Sequence, residues 1–331
     1  MRRHPRTAPQ LSLLLATIFA STVVSGPGRA QTDTFPVKPV RLIVPFPPGG
    51  SVDLNARLLS IKFAEVLGQQ IIVDNRGGAS GMIGSDAVAR ATPDGYTLLL
   101  QSNPFVTSTI LYSRPLYDPL NDFAPISLLS IVPMAVGVHP SLPVRSVGEL
   151  LAFARARPKE LNYASSGIGS NSHITGELFN LMGKTSILAI QFKGGGPALQ
   201  AAISGEAPIS FSNVSETARM VEAKRLRALG VSSLKRSPVL PDVPPIAEAG
   251  LPGFEFHAWH GLLAPRGTPQ KLVALLNEKF RIAMSAPDQV KRFQDRGLEV
   301  VTNSPEEFSA YLKEELKKWG ALIRERNLKA E

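Results

Sequence analysis

From residue 40 onward, short unbroken apolar runs alternate with stretches in which apolar residues recur at three- to four-residue spacing. The runs Val40–Phe46, Gln70–Asp74 and Tyr96–Gln101 predict strands. Between the first two, Leu54, Leu58, Ile61 and Ala64 place one apolar face on a helix over Asp53–Leu67, which Gly68 stops. Between the second and third, a glycine-rich turn, Asn75–Gly81, leads into a helix through Ile83–Ala91, and Pro93-Asp94-Gly95 turns the chain. This βαβαβ rhythm predicts a parallel sheet with right-handed crossovers.

The rhythm breaks at Asn103–Asp122, which is irregular, and at Pro125–Val138, which forms one or two extended segments with Pro133 between them. It then restarts. Helices are predicted at Val147–Arg157, Ile174–Met182, Pro197–Ser204 and Glu216–Ala223, and strands at Leu161–Ala164, Ile187–Phe192, Ile209–Ser212 and Leu226–Val231. A proline-rich connection, Ser237–Pro252, precedes a strand at His257–Ala264 and amphipathic helices at Pro269–Met284 and Pro305–Arg326. The tail has too few strands for a domain of its own and completes the first unit. The expected fold class is therefore α/β with two lobes: residues 31–130 with 248–331, and residues 131–247. Two crossings, near residue 130 and at 235–250, would make a hinge over a cleft.

The first thirty residues differ. Arg2, Arg3 and Arg6 precede the apolar stretch Leu11–Val24, and Gly28-Arg29-Ala30 offers small residues for cleavage. This predicts a secretory signal peptide over residues 1–30, cleaved near Ala30. A membrane anchor is the alternative, but the stretch is shorter than the roughly 18–20 residues a span needs. Loss of its four arginines lowers the formal charge from +9 to +5. The remaining basic residues are scattered, without the stripe and interleaved aromatics of a nucleic-acid surface. The chain has no cysteine, which excludes disulfides and thiolate chemistry.

Candidate chemistry sits in two small-residue turns, each following the first strand of its unit. In Pro47-Pro48-Gly49-Gly50-Ser51, glycines let the backbone approach a ligand closely, and the amides that open the next helix lack intrahelical acceptors. Such a turn suits a carboxylate, phosphate or sulfate. The second turn, Ser165-Ser166-Gly167-Ile168-Gly169-Ser170, repeats the offer and adds hydroxyls. Asp53 either stabilises the helix dipole, the plainer role, or accepts from a ligand. Ser102 and Asn103 follow the third strand, His173 starts a helix, and Lys193 ends a strand. Each is a candidate cleft donor, though Lys193 has an ordinary surface role beside it and His173 an ordinary helix-start role. Enzyme signatures are missing: the G-x-S-x-G elbow, the phosphate loop and the dinucleotide fingerprint are all incomplete. His257 and His260 point to opposite faces of a strand, with no acidic or cysteine cluster to complete a metal site. No catalytic set, cofactor or metal is expected.

Several stretches carry a resemblance. They are Pro39–Phe46 with the following Gly49-Gly50 and Asp53; Asn75-Arg76 with its glycine-rich turn; Pro93–Leu99; and Tyr117-Asp118-Pro119 with Asp122-Phe123. Others are Asn162–Gly167, Phe192-Lys193-Gly194, Leu226–Leu229, Pro241–Pro244, and Trp259–Pro265 with Gly267-Thr268-Pro269. In this order and spacing the chain resembles the Bug-type extracytoplasmic solute receptors of tripartite tricarboxylate transporters. The resemblance implies a periplasmic, type II, Venus-flytrap binding protein that captures a small organic carboxylate, a di- or tricarboxylate or an aromatic acid. It would deliver this cargo, as a monomer, to integral-membrane permease subunits encoded separately. By motif match, Pro48, Gly49, Gly50, Ser51 and Asp53 in one lobe and Ser165, Ser166, Gly167, Gly169 and Ser170 in the other hold the carboxylate. Two departures bear on specificity. Asn213 stands where the family commonly has an acid, and should tolerate a second ligand carboxylate better than an amino group. Phe105 follows the third strand and could favour an aromatic ring. A sensor for a signalling partner would share the same pocket, whereas a secreted enzyme would need a nucleophile–base pair that the sequence does not supply.

Overall fold

The computed structural model describes residues 35–330; the expected signal peptide lies outside them. Strand β1 (Val40–Val44) leads through the first turn into α1 (Ser51–Leu67), then β2 (Ile71–Asn75). A single 3₁₀ turn (Ala79–Gly81), α2 (Met82–Ala89) and β3 (Thr97–Gln101) complete the first βαβαβ unit. Strands β2 and β3 flank β1, both parallel to it, as the rhythm predicts. Helix α1 ends at Gly68 in the left-handed conformation, φ +71°. Its buried face is not the predicted one: Val52, Ala56, Leu59, Phe63 and Leu67 face inward, while Leu54 and Ile61 are exposed. Two apolar stripes compete on this helix. The one carrying Phe63 wins because that ring packs edge-on against Phe280 at 5.8 Å.

The supposedly irregular piece contains α3 (Pro104–Leu111), and the following extended segment is one 16-residue strand, β4 (Phe123–Val138). Residues Phe123–Pro133 pair with β9 (His257–Pro265), and residues Met134–Val138 pair with β7 (Ile209–Asn213) and β8 (Arg227–Val231). So β4 belongs to both halves of one ten-stranded sheet, in which β2, β1, β3, β9, β4 and β7 lie side by side in that order and β8 also pairs with β4. The second half holds α4 (Val147–Ala156), β5 (Asn162–Ser165), α5 (Asn171–Gly183), β6 (Leu188–Gln191), α6 (Gly195–Ser204) and α7 (Val214–Glu222). There β5 runs parallel to β6 and β7.

After β9 the chain returns to the first half through α8 (Gln270–Ser285), α9 (Pro287–Gln294), a two-residue strand β10 (Glu299–Val300) on β4, and α10 (Pro305–Glu325). The last helix starts with a capping box between Ser304 and Glu307. Each half has its own core. One is built around Leu99, Phe105, Trp259 and Phe308, the other around Tyr163, Phe179, Phe211 and Phe254. No helix among the described residues is long and apolar enough to cross a membrane.

Candidate functional site

The first turn leaves β1 as two prolines and two glycines and enters α1 without a side-chain cap. The N–H groups of Ser51, Val52 and Asp53 open the helix and have no acceptor within it. Gly49 has φ +84°, a conformation that L side chains resist. Gly50 has φ −75°, and a Cβ there would meet only the Pro47 carbonyl, at 3.6 Å. Pro48, Gly49 and Gly50 are exposed. Asp53 is not: its carboxylate is buried and fully used by its own chain. It accepts from Gly49 N (2.8 Å), Arg57 Nε (3.0 Å), Arg57 Nη2 (3.0 Å) and Asn75 Nδ2 (3.0 Å). Burial pushes this carboxyl up, but the hydrogen bonds from Arg57, Gly49 and Asn75 outweigh it and hold it below the ordinary carboxylate value. Asp53 therefore braces the turn and has no lone pair left over for a ligand.

Ser51 sits at a junction. Its hydroxyl accepts from Asn213 Nδ2 at 3.3 Å and lies 3.5 Å from His260 Nε2. His260 is buried in β9 against Asn55 (3.2 and 3.3 Å) and Ser130 (3.2 Å), and burial pushes its pKa down to about 4. It is a neutral pillar under Ser51.

The second turn is densely self-bonded. Ser165 Oγ lies 2.8 Å from Gln191 Oε1. Ser166 N donates to Ser172 Oγ at 2.8 Å, and the Ser166 and Ser170 hydroxyls reach the same oxygen at 2.9 and 3.0 Å. Ser170 caps α5 by accepting from His173 N, while His173 Nδ1 accepts from Gly169 N at 3.1 Å. That bond fixes the ring proton on Nε2, and burial, opposed by Glu177, lowers the pKa of His173. Gly167 and Gly169 have φ +125° and +75°. The serines thus shape the turn, and the N–H groups of Asn171 and Ser172, which open α5, have no acceptor within the helix.

Several contacts join the two halves here. Thr107 Oγ1 donates to the Gly169 carbonyl (2.7 Å), Ser80 Oγ to the Ile168 carbonyl (3.0 Å), and Asn171 Nδ2 to Ser102 Oγ (3.4 Å). Nearby, Arg326 Nε reaches the buried Glu177 at 2.9 Å. Ser80, Thr107, Asn171 and Ser172 were not among the sequence candidates. The sequence signal for Ser80 is its place in the glycine-rich turn Asn75–Gly81; in the structure Ala79 and Ser80 both adopt positive φ there, +46° and +53°.

Asn103 and Phe105 are drawn into the core, whereas Lys193 follows Phe192, whose N–H donates to the Ser165 carbonyl at 2.8 Å. Asn103 is fully buried behind the turns. Its Nδ2 reaches Glu315 (3.2 Å) and the His257 carbonyl (3.2 Å), and its Oδ1 accepts from Trp259 N (3.0 Å). Glu315, itself bonded to Trp259 Nε1 and Trp319 Nε1, draws the amide into the core. Phe105 stacks on Tyr117 at 5.2 Å and is fully buried, so it offers no ring to a ligand. Lys193 is exposed and makes no hydrogen bond or ion pair among the described residues.

A doubly wound, two-centred α/β sheet with paired helix-opening turns is the architecture of a solute-binding protein. Residues 55–328 match the family described as Tripartite tricarboxylate transporter family receptor, and the chain belongs to that family. It is 39% identical over 333 residues to the UPF0065 protein in the tcbD-tcbE intergenic region of Pseudomonas sp. (strain P51), covering 99% of each chain. Among solved structures it is similar to R. palustris Rpa4515 with adipate, with TM-score 0.84, 35% identity, and 89% and 99% of the two chains covered. It is also similar to the periplasmic binding protein BugD, with TM-score 0.82, 33% identity, and 90% and 100% covered. The family is one of periplasmic solute-binding receptors, not of enzymes.

Proposed function

We propose that this protein captures a small organic carboxylate between its two turns. The observation that carries the reading is that both helix starts touch the opposite half: α1 through Ser51, which accepts from Asn213, and the α5 turn through the Ser80–Ile168, Thr107–Gly169 and Asn171–Ser102 contacts. Unpaired amides of two helices supply partial positive charge and directed donors without a counter-ion, which suits an anion. The adipate bound by Rpa4515 supports the same class of ligand.

In this reading the two halves of the sheet are lobes. They are residues 31–130 with 248–331, and residues 131–247, and β4 and the segment between β8 and β9 form the hinge. Gly49–Ser51 and the amides of Val52 and Asp53 take the carboxylate from one side. Ile168, Asn171 and Ser172 take it from the other, and the cross-cleft hydrogen bonds form on closure. The closed form presents one surface to separately encoded membrane permease subunits, and the chain works as a monomer after cleavage near Ala30. A thermal-shift screen of the chain from Gln31 with carboxylic acids and their matched amides tests this. Acids should raise the melting temperature and amides should not, because binding to the folded state stabilises it by mass action. Equal shifts for both would overturn the carboxylate reading.

A further inference from the structure

Beside the Ser51–Asn213 contact, between α1 and α7, lies a cavity of about 520 Å³. Its walls include Leu54, Val132, Leu240 and Leu298, and Glu216 lines it from the first turn of α7. Leu54 is 46% exposed on a helix that buries its other apolar stripe, so this wall is apolar surface without a packing partner in the chain. Because Ser51 and Asn213 border both the first turn and this cavity, a chain leaving a carboxylate at the turn would enter it.

We propose that this cavity is the subsite for the far end of the bound acid, and that Glu216 makes it select a chain ending in a hydrogen-bond donor, an ammonium above all, over one ending in a second carboxylate. This rests on the carboxylate reading above.

Glu216 is half-buried, with no hydrogen bond and no ion pair among the described residues. Of the other charges lining the cavity, Asp295 pairs with Lys291 at 3.0 Å, and Arg219, Glu222 and Arg296 are exposed, where water and salt screen them. Arg219, one turn along α7, attracts Glu216 without touching it. Burial still dominates and raises the Glu216 carboxyl above its ordinary value. A second ligand carboxylate here would set like charge against like, whereas an ammonium would supply the missing partner. Asn213 alone would favour the dicarboxylate, and Glu216 three residues on reverses that preference. An acid in the first turn also suits the helix dipole. That role would change stability and leave ligand ranking untouched.

The test is calorimetric titration of the full mature chain and of Glu216→Gln with a graded-length series of dicarboxylates, their half-amides and the matching ω-amino acids. The wild type should bind the ω-amino acid about tenfold more tightly than the dicarboxylate of equal length, a gap of about 1.4 kcal/mol. In Glu216→Gln the gap should close to about twofold, with half-amide affinity unchanged, which also shows that the variant is folded. A wild type that prefers dicarboxylates, or a gap that survives in Glu216→Gln, overturns the inference while leaving a carboxylate receptor in place. If no acid of the series binds while the thermal-shift screen selects another acid, this inference falls and the carboxylate reading stands; if neither finds an acid, both fall.

Discussion

The carboxylate of Asp53 accepts the backbone N–H of Gly49 at 2.8 Å, so the helix that follows the first turn also holds that turn in shape. Arg57 and Asn75 complete the brace, and the helix-opening amides have no acceptor within α1. A residue read from sequence as either dipole partner or ligand contact is thus a third thing, a positioning residue for the turn.

Replacing Asp53 by Ala removes four accepted hydrogen bonds and leaves three donor groups to find water. The expected loss is about 1–3 kcal/mol of stability, measured by urea unfolding at pH 7, together with weaker ligand binding. The carboxyl is held below its ordinary value in the folded state. Its contribution is therefore complete above about pH 4 and is lost as pH falls through the folded value. The Ala variant should lack that part of the acid dependence. A variant as stable as the wild type at pH 7 would show that the brace is dispensable.

His260 gives the second pH signature, in a different window. Its pKa is about 4 when folded, against about 6.5 when unfolded, so the unfolded chain binds the extra proton. Stability should decline as pH falls from about 6.5 to 4, by roughly 3 kcal/mol in all, and level off below. His260→Gln should flatten this segment of the profile. An identical slope in the variant would assign the pH dependence to another group, with His173, also lowered by burial, next in line.

Gly169 tests the contact between the halves. A Cβ there would fall 2.6 Å from Leu111 Cδ1, and the residue has φ +75°. Gly169→Ala should therefore both strain the turn and wedge it away from α3. Ligand affinity is expected to drop about tenfold or more, with a smaller change in unfolding free energy. Unaltered affinity would mean that ligand binding does not require this approach of Gly169 to Thr107.

Much of the fold could be read along the chain because glycine stops and apolar runs agree. Gly68 ends α1 where expected, and β1, β2 and β3 pair in parallel as their rhythm requires. Strand β4 was harder. Pro125 and Pro133 lack N–H groups and suggest breaks, yet Pro133 sits where the strand changes partner, opposite His257, and a bulge follows Pro125. The turns themselves were visible from composition. Their supports were not, because each depends on residues far apart in sequence meeting in space. Asn103 was drawn into the core by Glu315, some two hundred positions away, and Ser80 reaches Ile168 across the cleft.

The most direct measurement is the binding isotherm of Gly50→Phe beside that of the wild type, using an acid that the thermal-shift screen selects. Gly50 has a φ open to any residue and room around its Cβ, so the variant should fold with an unchanged melting temperature in the absence of ligand. Its ring would cover the amides of Ser51 and Val52, and the account predicts that the heat of binding disappears. An isotherm matching the wild type would show that the carboxylate is not held at this turn.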